Sequence, residues 1–512
     1  MSKDVYILGI DIGTQGVKGA LFNEAGACLA EHGEPSRLLH PEKDAITEDP
    51  EYQYQSVLKV IRKCIEKSGV KDTSQVAALS VDGQMAGVIG IGDDGRAVTP
   101  YDSWLDTRCA SYVERMKAEA GELILKKAGT APSFNHGPKK LWWMHERPEV
   151  FSLIRSFVQP GGYAAARVCG LSGKEAFIDK TYLHFSGFSD TRAGTWDDQL
   201  CSLFHMPEEK LPRIVGSTEI VGTVTREASE ACGLQQGTPV AAGCGDTVAS
   251  FLSSGAVEHG LCIDVAGTAS VFSCTQKDFL PDVSSGILGC CASVMDGLWY
   301  SYAYINGGGM NPEWFADLFG SSKDSSRFRD LEEAASQVED SLSLPLFIPH
   351  MAGRVMPSSP ELRGSWAGMN WKHGKGELFR AVLEGVALEY GIYRDAALAL
   401  CSDLSIREIR VTGGGEKSAL WNVMKSGVLQ APVVRIKQNQ GAPLGTAMVA
   451  AVAAGVFPSF RDASAAWVAT GERITCSQDR WEYFSRRLER YRELMRVMES
   501  FCREFPFSAS VD

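Results

Sequence analysis

One short pattern occurs twice in this chain, about half a chain length apart. Residues 10–14 (IDIGT) are echoed by residues 263–268 (IDVAGT), with one residue inserted, at an offset of 263 − 10 = 253 positions. Each copy is apolar, reaches a Gly-Thr turn and continues into a second strand-like run, which is typical of a β-hairpin. We therefore predict a duplicated domain in which each half opens with a Gly-Thr hairpin. Chance similarity of two short strands is the alternative.

The segments around these hairpins predict an α/β architecture. Apolar residues at helical spacing indicate helices at 52–67 and 377–400, between strand-like segments at 76–81 and 406–411. A chain of 512 residues is too long for one core and favours two large domains. The glycines at 255 and 260 mark the natural boundary. We predict an N-terminal domain at 1–255 and a C-terminal domain at 256–500.

Charge and composition exclude several classes of partner. A formal net charge of −12 argues against electrostatic binding to nucleic acid or to an anionic membrane. The longest mostly apolar run, at 442–457, is shorter than the roughly 20 residues of a membrane span and indicates a buried helix. The 14 cysteines form no CxxC pair and the first residues carry no export pattern, so we expect reduced thiols in a cytoplasmic protein.

The first Gly-Thr hairpin carries residue types that suit phosphate chemistry. In residues 11–18 (DIGTQGVK), the glycines let phosphate oxygens approach the backbone, and Asp11 can hold Mg²⁺ directly or through water. Thr14 offers a hydroxyl and Lys18 a positive charge. An ordinary hairpin with a glycine and an exposed lysine is the alternative.

Two further segments could serve a phosphoryl transfer. Asp246 follows glycines at the predicted start of a helix, where a carboxylate could accept the proton of a hydroxyl; an N-cap aspartate is the alternative. The run at 413–418 (GGGEKS) is not a Walker loop, because Glu416 stands before Lys417 where that motif needs glycine. It could form a flat bed for a nucleoside, or only a left-handed turn.

Residues 104–108 (WLDTR) combine an aromatic wall with a carboxylate and a guanidinium. That combination suits a polyhydroxylated ligand, but a surface turn with a paired Asp106 and Arg108 fits equally well. The final predicted helix, at 480–501, has an apolar packing stripe, and its arginines are expected only on the opposite, solvent-exposed face.

Taken together, these segments resemble the FGGY family of carbohydrate kinases. That family has the duplicated ribonuclease-H-like α/β fold of actin, sugar kinases and Hsp70-type ATPases, with two domains around a cleft. The resemblance covers almost the whole chain, and its elements occur in family order. They are residues 11–18, 83–87 (GQMAG), 104–108, 138–142 (PKKLW), 243–246 (GCGD), 267–268, 364–390, 413–429 and 441–445 (GAPLG).

The resemblance implies ATP and Mg²⁺ as cofactors and a role for each matching residue. Asp246 matches the catalytic base, which also touches the sugar, and Asp11 matches the acid that attends Mg²⁺. The residues that match contacts to the phosphates are Thr14, Lys18, Thr268 and Gly309; those that match the adenosine bed are Gly414, Gly415 and Ser418; those that match the sugar site are Gln84, Met85 and Trp104. Family members are often dimers, so a homodimer is expected.

Within the family, the Gly-Gln-Met segment is most similar to that of xylulokinases, which implies D-xylulose as the acceptor and D-xylulose 5-phosphate as the product. This chain departs from the xylulokinase pattern at Ala86, where histidine is usual, and at Thr247, where Asn or Gln commonly follows the base. Ribulose, erythritol, gluconate or a deoxyketose therefore stay open as acceptors. An actin-like or Hsp70-like nucleotide switch without catalysis is the alternative from another class.

Overall fold

The computed structural model describes residues 4–320, 326–437 and 440–507, so the first three residues of the predicted N-terminal domain and two short parts of the C-terminal one lie outside the described residues. The strands are β1 Tyr6–Gly13, β2 Gly16–Asn23, β3 Cys28–Pro35, β4 Thr47–Glu48, β5 Val76–Gly83, β6 Ile89–Ile91, β7 Tyr101–Asp102, β8 Ser156–Val158, β9 Phe177–Asp179, β10 Ser189–Asp190, β11 Thr195–Trp196, β12 Arg213–Val215, β13 Ile220–Thr223, β14 Pro239–Ala241, β15 Leu261–Ala266, β16 Ser270–Gln276, β17 Gly289–Ala292, β18 Trp299–Ile305, β19 Leu346–Ile348, β20 Ser365–Ala367, β21 Glu408–Thr412, β22 Val433–Ile436 and β23 Thr470–Ile474. The helices are α1 Pro50–Ser68, α2 Ala110–Ala128, α3 His136–Glu146, α4 Pro148–Leu153, α5 Pro160–Cys169, α6 Asp198–Leu203, α7 Arg226–Cys232, α8 Asp246–Ser253, α9 Met310–Phe319, α10 Ser326–Ser336, α11 Lys375–Leu400, α12 Ala419–Leu429, α13 Ala442–Ala453, α14 Phe460–Trp467 and α15 Gln478–Glu504.

Two large mixed sheets repeat one topology. Reading from one edge, the first sheet has the order β3-β2-β1-β5-β14-β13, and the second has the order β18-β16-β15-β21-β22-β23, extended beyond β18 by β17. In both, the first three strands are antiparallel neighbours, the next two joins are parallel and the last is antiparallel. The predicted duplication of a ribonuclease-H-like unit is therefore confirmed.

The first hairpin is as tight as its glycines predict. Gly13 pairs with Gly16 at the end of β1 and β2. Gly16 has a φ of 150°, and a Cβ there would lie 2.2 Å from the backbone oxygen of Glu34. Only glycine fits this position, because β3 crosses directly beside the turn.

The two halves share part of one core. Helix α13 comes late in the chain but contacts β1, β5 and α8 of the first half. The contact is close, since a Cβ on Gly9 would meet the backbone oxygen of Pro443 at 2.1 Å. The apolar run at 442–457 thus includes a buried helix, as predicted, and no helix in the described ranges is both long and apolar enough to span a bilayer. The division into 1–255 and 256–500 stays a prediction.

The final helix confirms one prediction and corrects another. Phe484, Leu488, Tyr491 and Met495 on α15 are buried, as the apolar stripe predicts. Arg487 is buried as well, and its guanidinium forms a bidentate pair with Glu384 of α11 at 2.9 and 2.7 Å. The expectation that every arginine of this helix faces water was wrong, because an ion pair inside the core also satisfies a guanidinium.

Candidate functional site

A cavity of about 220 Å³ lies between the two halves. Its volume equals that of about seven water molecules, so it can take only a small molecule. The first half contributes Thr14, Gln84, Met85, Ala86, Trp104, His184, Phe185, Asp246, Thr247, Val248 and Phe251, and the second half contributes Ala269, Val271, Cys291, Tyr302, Tyr304 and Asn306. The predicted sugar-site residues and the predicted base therefore meet in one place.

Asp246 is the first residue of α8 and lies in the wall of this cavity. Gly245 is the N-cap, so the N-cap alternative for Asp246 does not hold. The Oδ1 atom of Asp246 accepts hydrogen bonds from the backbone N–H and the hydroxyl of Thr247, at 2.5 and 3.1 Å. Burial, followed by the nearby Asp11 carboxylate, raises the pKa of Asp246 to about 7. A carboxylate with that pKa is suited to accept a proton near neutral pH.

Asp11 lies beside a second acid that the sequence pattern did not single out. In the parallel pairing of β1 and β5, Asp11 is the register partner of Asp82. Burial raises the pKa of Asp11, and burial with the Asp11 charge raises the pKa of Asp82 well above its ordinary value. Lys18 is the partner of Asp11 in the hairpin and opposes the shift of the Asp11 pKa.

These acids fit the Mg²⁺ ion that the resemblance implies. The Oδ1 atoms of Asp11 and Asp82 are both buried and receive no hydrogen bond from an N–H or O–H donor of the described residues, while the two carboxyl groups lie within hydrogen-bonding reach of each other. Buried carboxylate oxygens without a donor are expensive unless a cation or a proton neutralises them. Oxygen donors of this kind are the ligands that Mg²⁺ prefers.

The predicted sugar-site residues are held by a chain of hydrogen bonds. Trp104 Nε1 donates to the Thr14 hydroxyl at 3.0 Å, and the Gln84 side-chain amide donates to Glu48 Oε1 at 2.9 Å. A hydrogen bond to its backbone positions Met85, since His136 Nε2 lies 2.5 Å from the Met85 backbone oxygen. Gln84 is thus oriented by a buried acid that sequence analysis did not identify.

Of residues 104–108, only Trp104 reaches the cavity. Arg108 binds Asp106 at 2.9 Å and Asp102 at 2.7 Å. The expected pair of Asp106 and Arg108 is present, but Asp106 is buried, so the pair does not lie in a surface turn.

The segments predicted to hold the nucleotide meet at the opening of the second half. A Cβ on Gly309 would lie 2.0 Å from the backbone oxygen of Gly267, next to the exposed Thr268. A Cβ on Gly413 would lie 2.7 Å from the backbone oxygen of Ala266. Three chain segments therefore approach each other backbone to backbone, which leaves peptide N–H groups as the natural phosphate contacts.

The two ends of the 413–418 run differ in how much room they leave for a ligand. Gly414 has open space where a Cβ would lie, and Gly415 packs on Trp421. The Ser418 hydroxyl is already engaged, since it caps α12 by accepting from Trp421 N at 3.1 Å and donates to Glu332 Oε1 at 2.5 Å. Gly414 is thus more open to a planar base than Gly415, which packs against Ala266 and Trp421, or Ser418.

Comparison with known families decides the identity. A model of the N-terminal domain of the FGGY family of carbohydrate kinases matches residues 6–253, and a model of its C-terminal domain matches residues 264–454. The chain belongs to this FGGY family.

Similar FGGY kinases differ in the acceptor that their names state. A gluconokinase of Bacillus subtilis is 27% identical over 507 residues, which cover 97% of this chain and 96% of that kinase. A xylulose kinase of Escherichia coli is 27% identical over 450 residues, which cover 87% and 90%. Among solved structures, a xylulose kinase from Rhodospirillum rubrum has a TM-score of 0.89 at 24% identity and covers 97% of this chain and 100% of its own. A gluconate kinase from Lactobacillus acidophilus has a TM-score of 0.89 at 23% identity and covers 98% and 100%.

Sequence analysis of this FGGY member missed three side chains in or beside the cavity. Asp82 ends a strand-like run, and that position at a strand's carboxyl end was the signal that could have found it. Glu48 and His184 carry no such signal, because each reaches the site only through the packing of distant segments.

Proposed function

We propose that this FGGY family member transfers the γ-phosphoryl group of ATP to a hydroxyl of a small neutral ketose or polyol, with D-xylulose as the first acceptor to test. The observation that carries the proposal is the position of Asp246. Its carboxylate lines a small cavity formed by both halves, and the nearby negative charge of Asp11 contributes to its raised pKa. A proton acceptor beside a metal-suited acid is what an alcohol phosphorylation needs.

Each residue of the proposed mechanism has a separate task. Asp246 accepts the proton of the acceptor hydroxyl, and the N-terminus of α8 beside it favours the negative charge that develops. Lys18 and the backbone N–H groups of the two Gly-Thr turns stabilise charge on the transferred group. Asp11 and Asp82 would hold Mg²⁺, which supplies positive charge to the phosphates when bound. Closure of the halves would exclude water.

The lining of the cavity favours a neutral acceptor over gluconate. None of the lining residues, all of which belong to the described ranges, is Lys or Arg. A carboxylate that enters a largely apolar cavity beside Asp246 would lose its hydration without gaining a cation. Gluconate remains the second candidate, because a gluconokinase matches nearly the whole chain.

The test is ADP release with a panel of acceptors at saturating MgATP. D-xylulose, D-ribulose, erythritol, 1-deoxy-D-xylulose and gluconate are compared with a reaction that lacks an acceptor. ADP release that depends on a neutral sugar or polyol supports the proposal. ADP release with gluconate alone contradicts it and favours gluconate as the acceptor. Equal ADP release with and without every acceptor would instead favour a nucleotide switch.

The proposed base is tested by Asp246→Asn. We expect kcat to fall about 10²- to 10⁴-fold, the usual contribution of a general base, while ATP binding measured by calorimetry is unchanged. Asp198→Asn is the matched control, since Asp198 is also the first residue of a helix but is exposed on α6. A variant at 246 with the wild-type rate would exclude this residue as the base.

Three expectations accompany the proposal and remain to be measured. We propose a cytoplasmic location, a homodimer and a domain division at residue 255. Light scattering checks the second, and limited proteolysis between 253 and 261 checks the third, because that stretch joins α8 to β15.

A further inference from the structure

A buried histidine lies in the cavity wall and has no role in the mechanism above. His184 belongs to the 3₁₀ helix Lys180–Phe185, is 1% exposed and lines the same cavity as Asp246. Its ring centroid lies 4.0 Å from that of Phe185 and 5.7 Å from that of Tyr302. These contacts fix the plane of the imidazole, so its two nitrogen atoms point in defined directions.

One hydrogen bond determines which nitrogen carries the proton. His184 Nδ1 lies 2.9 Å from the backbone oxygen of Thr181, which can only accept. The proton is therefore on Nδ1, and Nε2 presents a lone pair. Burial lowers the pKa of this histidine to about 3, so the ring is neutral at any working pH of the protein. Among the described residues, nothing donates a hydrogen bond to Nε2.

Some polar side chains of the lining are already occupied, whereas the buried Tyr302 hydroxyl has no hydrogen-bond partner among the described residues and does not bond to His184. Ala86 lines the cavity without a polar atom, and the Gln84 amide donates to Glu48. The Thr14 hydroxyl already accepts a hydrogen bond from the Trp104 indole N–H. Nε2 of His184 is thus an acceptor in a largely apolar wall, and an acceptor held there unpaired costs free energy unless a ligand supplies a donor.

We propose that His184 Nε2 accepts a hydrogen bond from a hydroxyl of the acceptor substrate and so determines specificity, an inference that rests on the proposed function. An alcohol can donate to this lone pair. A carboxylate carries no proton at neutral pH and cannot. His184 therefore selects an acceptor that places a hydroxyl at this point, and it disfavours a ligand that places a carboxylate there and the deoxy analogue that lacks the bonded hydroxyl.

The test compares His184→Phe, which keeps an aromatic ring but removes the acceptor, with His184→Gln, which restores an acceptor oxygen. Rates are measured with the neutral acceptor that wild type phosphorylates best and with its series of monodeoxy analogues. For His184→Phe we expect KM of the parent acceptor to rise about 5- to 10-fold, the usual worth of one such bond, with kcat changed less than about threefold. The deoxy analogue that lacks the hydroxyl bonded to His184 cannot form this bond, so its KM should be the same in wild type and variant. His184→Gln should recover part of the loss.

His145→Phe is the matched control, because His145 is exposed on α3 outside the cavity. If His184→Phe does not fold, as judged by its melting temperature, the Gln variant and the deoxy series on wild type decide. The inference is overturned if KM stays within about twofold in the folded variants, or if every deoxy analogue binds wild type as well as its parent. Absence of ADP release by wild type with all neutral acceptors is a different result, since it removes the proposed function itself.

Discussion

The two Gly-Thr hairpins look alike in sequence but place their aspartates in opposite surroundings. Asp11 is only partly buried, with Lys18 and Asp82 as its strand partners. Asp264 is fully buried, forms an ion pair with Lys425 and accepts from the Tyr390 hydroxyl at 2.8 Å. The Oδ1 atom of Asp11 has no N–H or O–H donor among the described residues, whereas the charge of Asp264 is balanced by Lys425 inside the second half.

The inserted residue of the second copy explains the difference. Asp11 stands three residues before Thr14, whereas Asp264 stands four residues before Thr268. Side chains alternate between the faces of a strand, so one extra residue turns the second aspartate to the other face. Residue 265, a valine that packs in the shared core, occupies the face that corresponds to Asp11. The fold is thus the same in both halves, and the offset of one residue places one aspartate beside Asp82 and the other in a buried ion pair.

The largest expected effect is on the buried pair. Lys425→Met should lower the free energy of unfolding by about 3–5 kcal/mol, because it leaves the Asp264 carboxylate buried without a cation. Lys18→Met, at the exposed lysine of the first hairpin, should change it by less than about 0.5 kcal/mol. Urea unfolding of both variants checks this. A loss below about 1 kcal/mol for Lys425→Met would mean that the two aspartates are not so different.

Exchanging the two aspartates for asparagine gives the next largest contrast. Asp11→Asn should lower the rate of phosphoryl transfer about 100-fold or more, since metal positioning is worth several kcal/mol, without lowering stability, because one of several like charges is removed. Asp264→Asn should do the reverse: it should destabilise the chain, because Lys425 loses its anion, and leave the rate per folded molecule unchanged. Coupled ADP assays and urea unfolding separate the two outcomes, and equal behaviour of both variants contradicts the comparison.

A smaller effect is the pH dependence of stability. The pKa of Asp246 is about 7 in the folded chain, raised from an ordinary value of 3.8. Between these values the folded state binds the proton more tightly, so this contribution to stability is complete below about pH 4 and is lost as pH rises through about 7. Without Mg²⁺, the melting temperature of wild type should therefore fall by a few degrees from pH 5 to 8 relative to Asp246→Asn. Parallel curves for the two proteins would contradict this.

The smallest expected effect concerns how the first turn is held. Trp104→Phe removes the hydrogen bond to Thr14 but keeps a ring, so KM for the neutral acceptor should rise about three- to tenfold with stability unchanged. Thr268 is exposed and should tolerate replacement by alanine without a change in that KM. Steady-state kinetics with the acceptor varied check both variants. A larger effect at 268 than at 104 would place the acceptor nearer the second half.

Sequence alone predicted the elements whose signals are local. Both hairpins, the long helix α11, the buried helix α13 and the start of α8 at Asp246 follow from periodicity and turn residues. The duplicated fold and the family followed from an ordered set of motifs. The predicted sugar-site residues also meet in one cavity, although their roles stay proposals.

Only the tertiary structure decided the surroundings of each charged side chain. The burial of Arg487 against Glu384, the pairing of Asp264 with Lys425 and the position of Asp82 beside Asp11 depend on segments far apart in the chain. His184 reaches the cavity for the same reason. Local sequence determines which face is apolar, but an ionisable group is functional or structural according to which distant charge lies beside it, and that is set when the helices pack on the sheets.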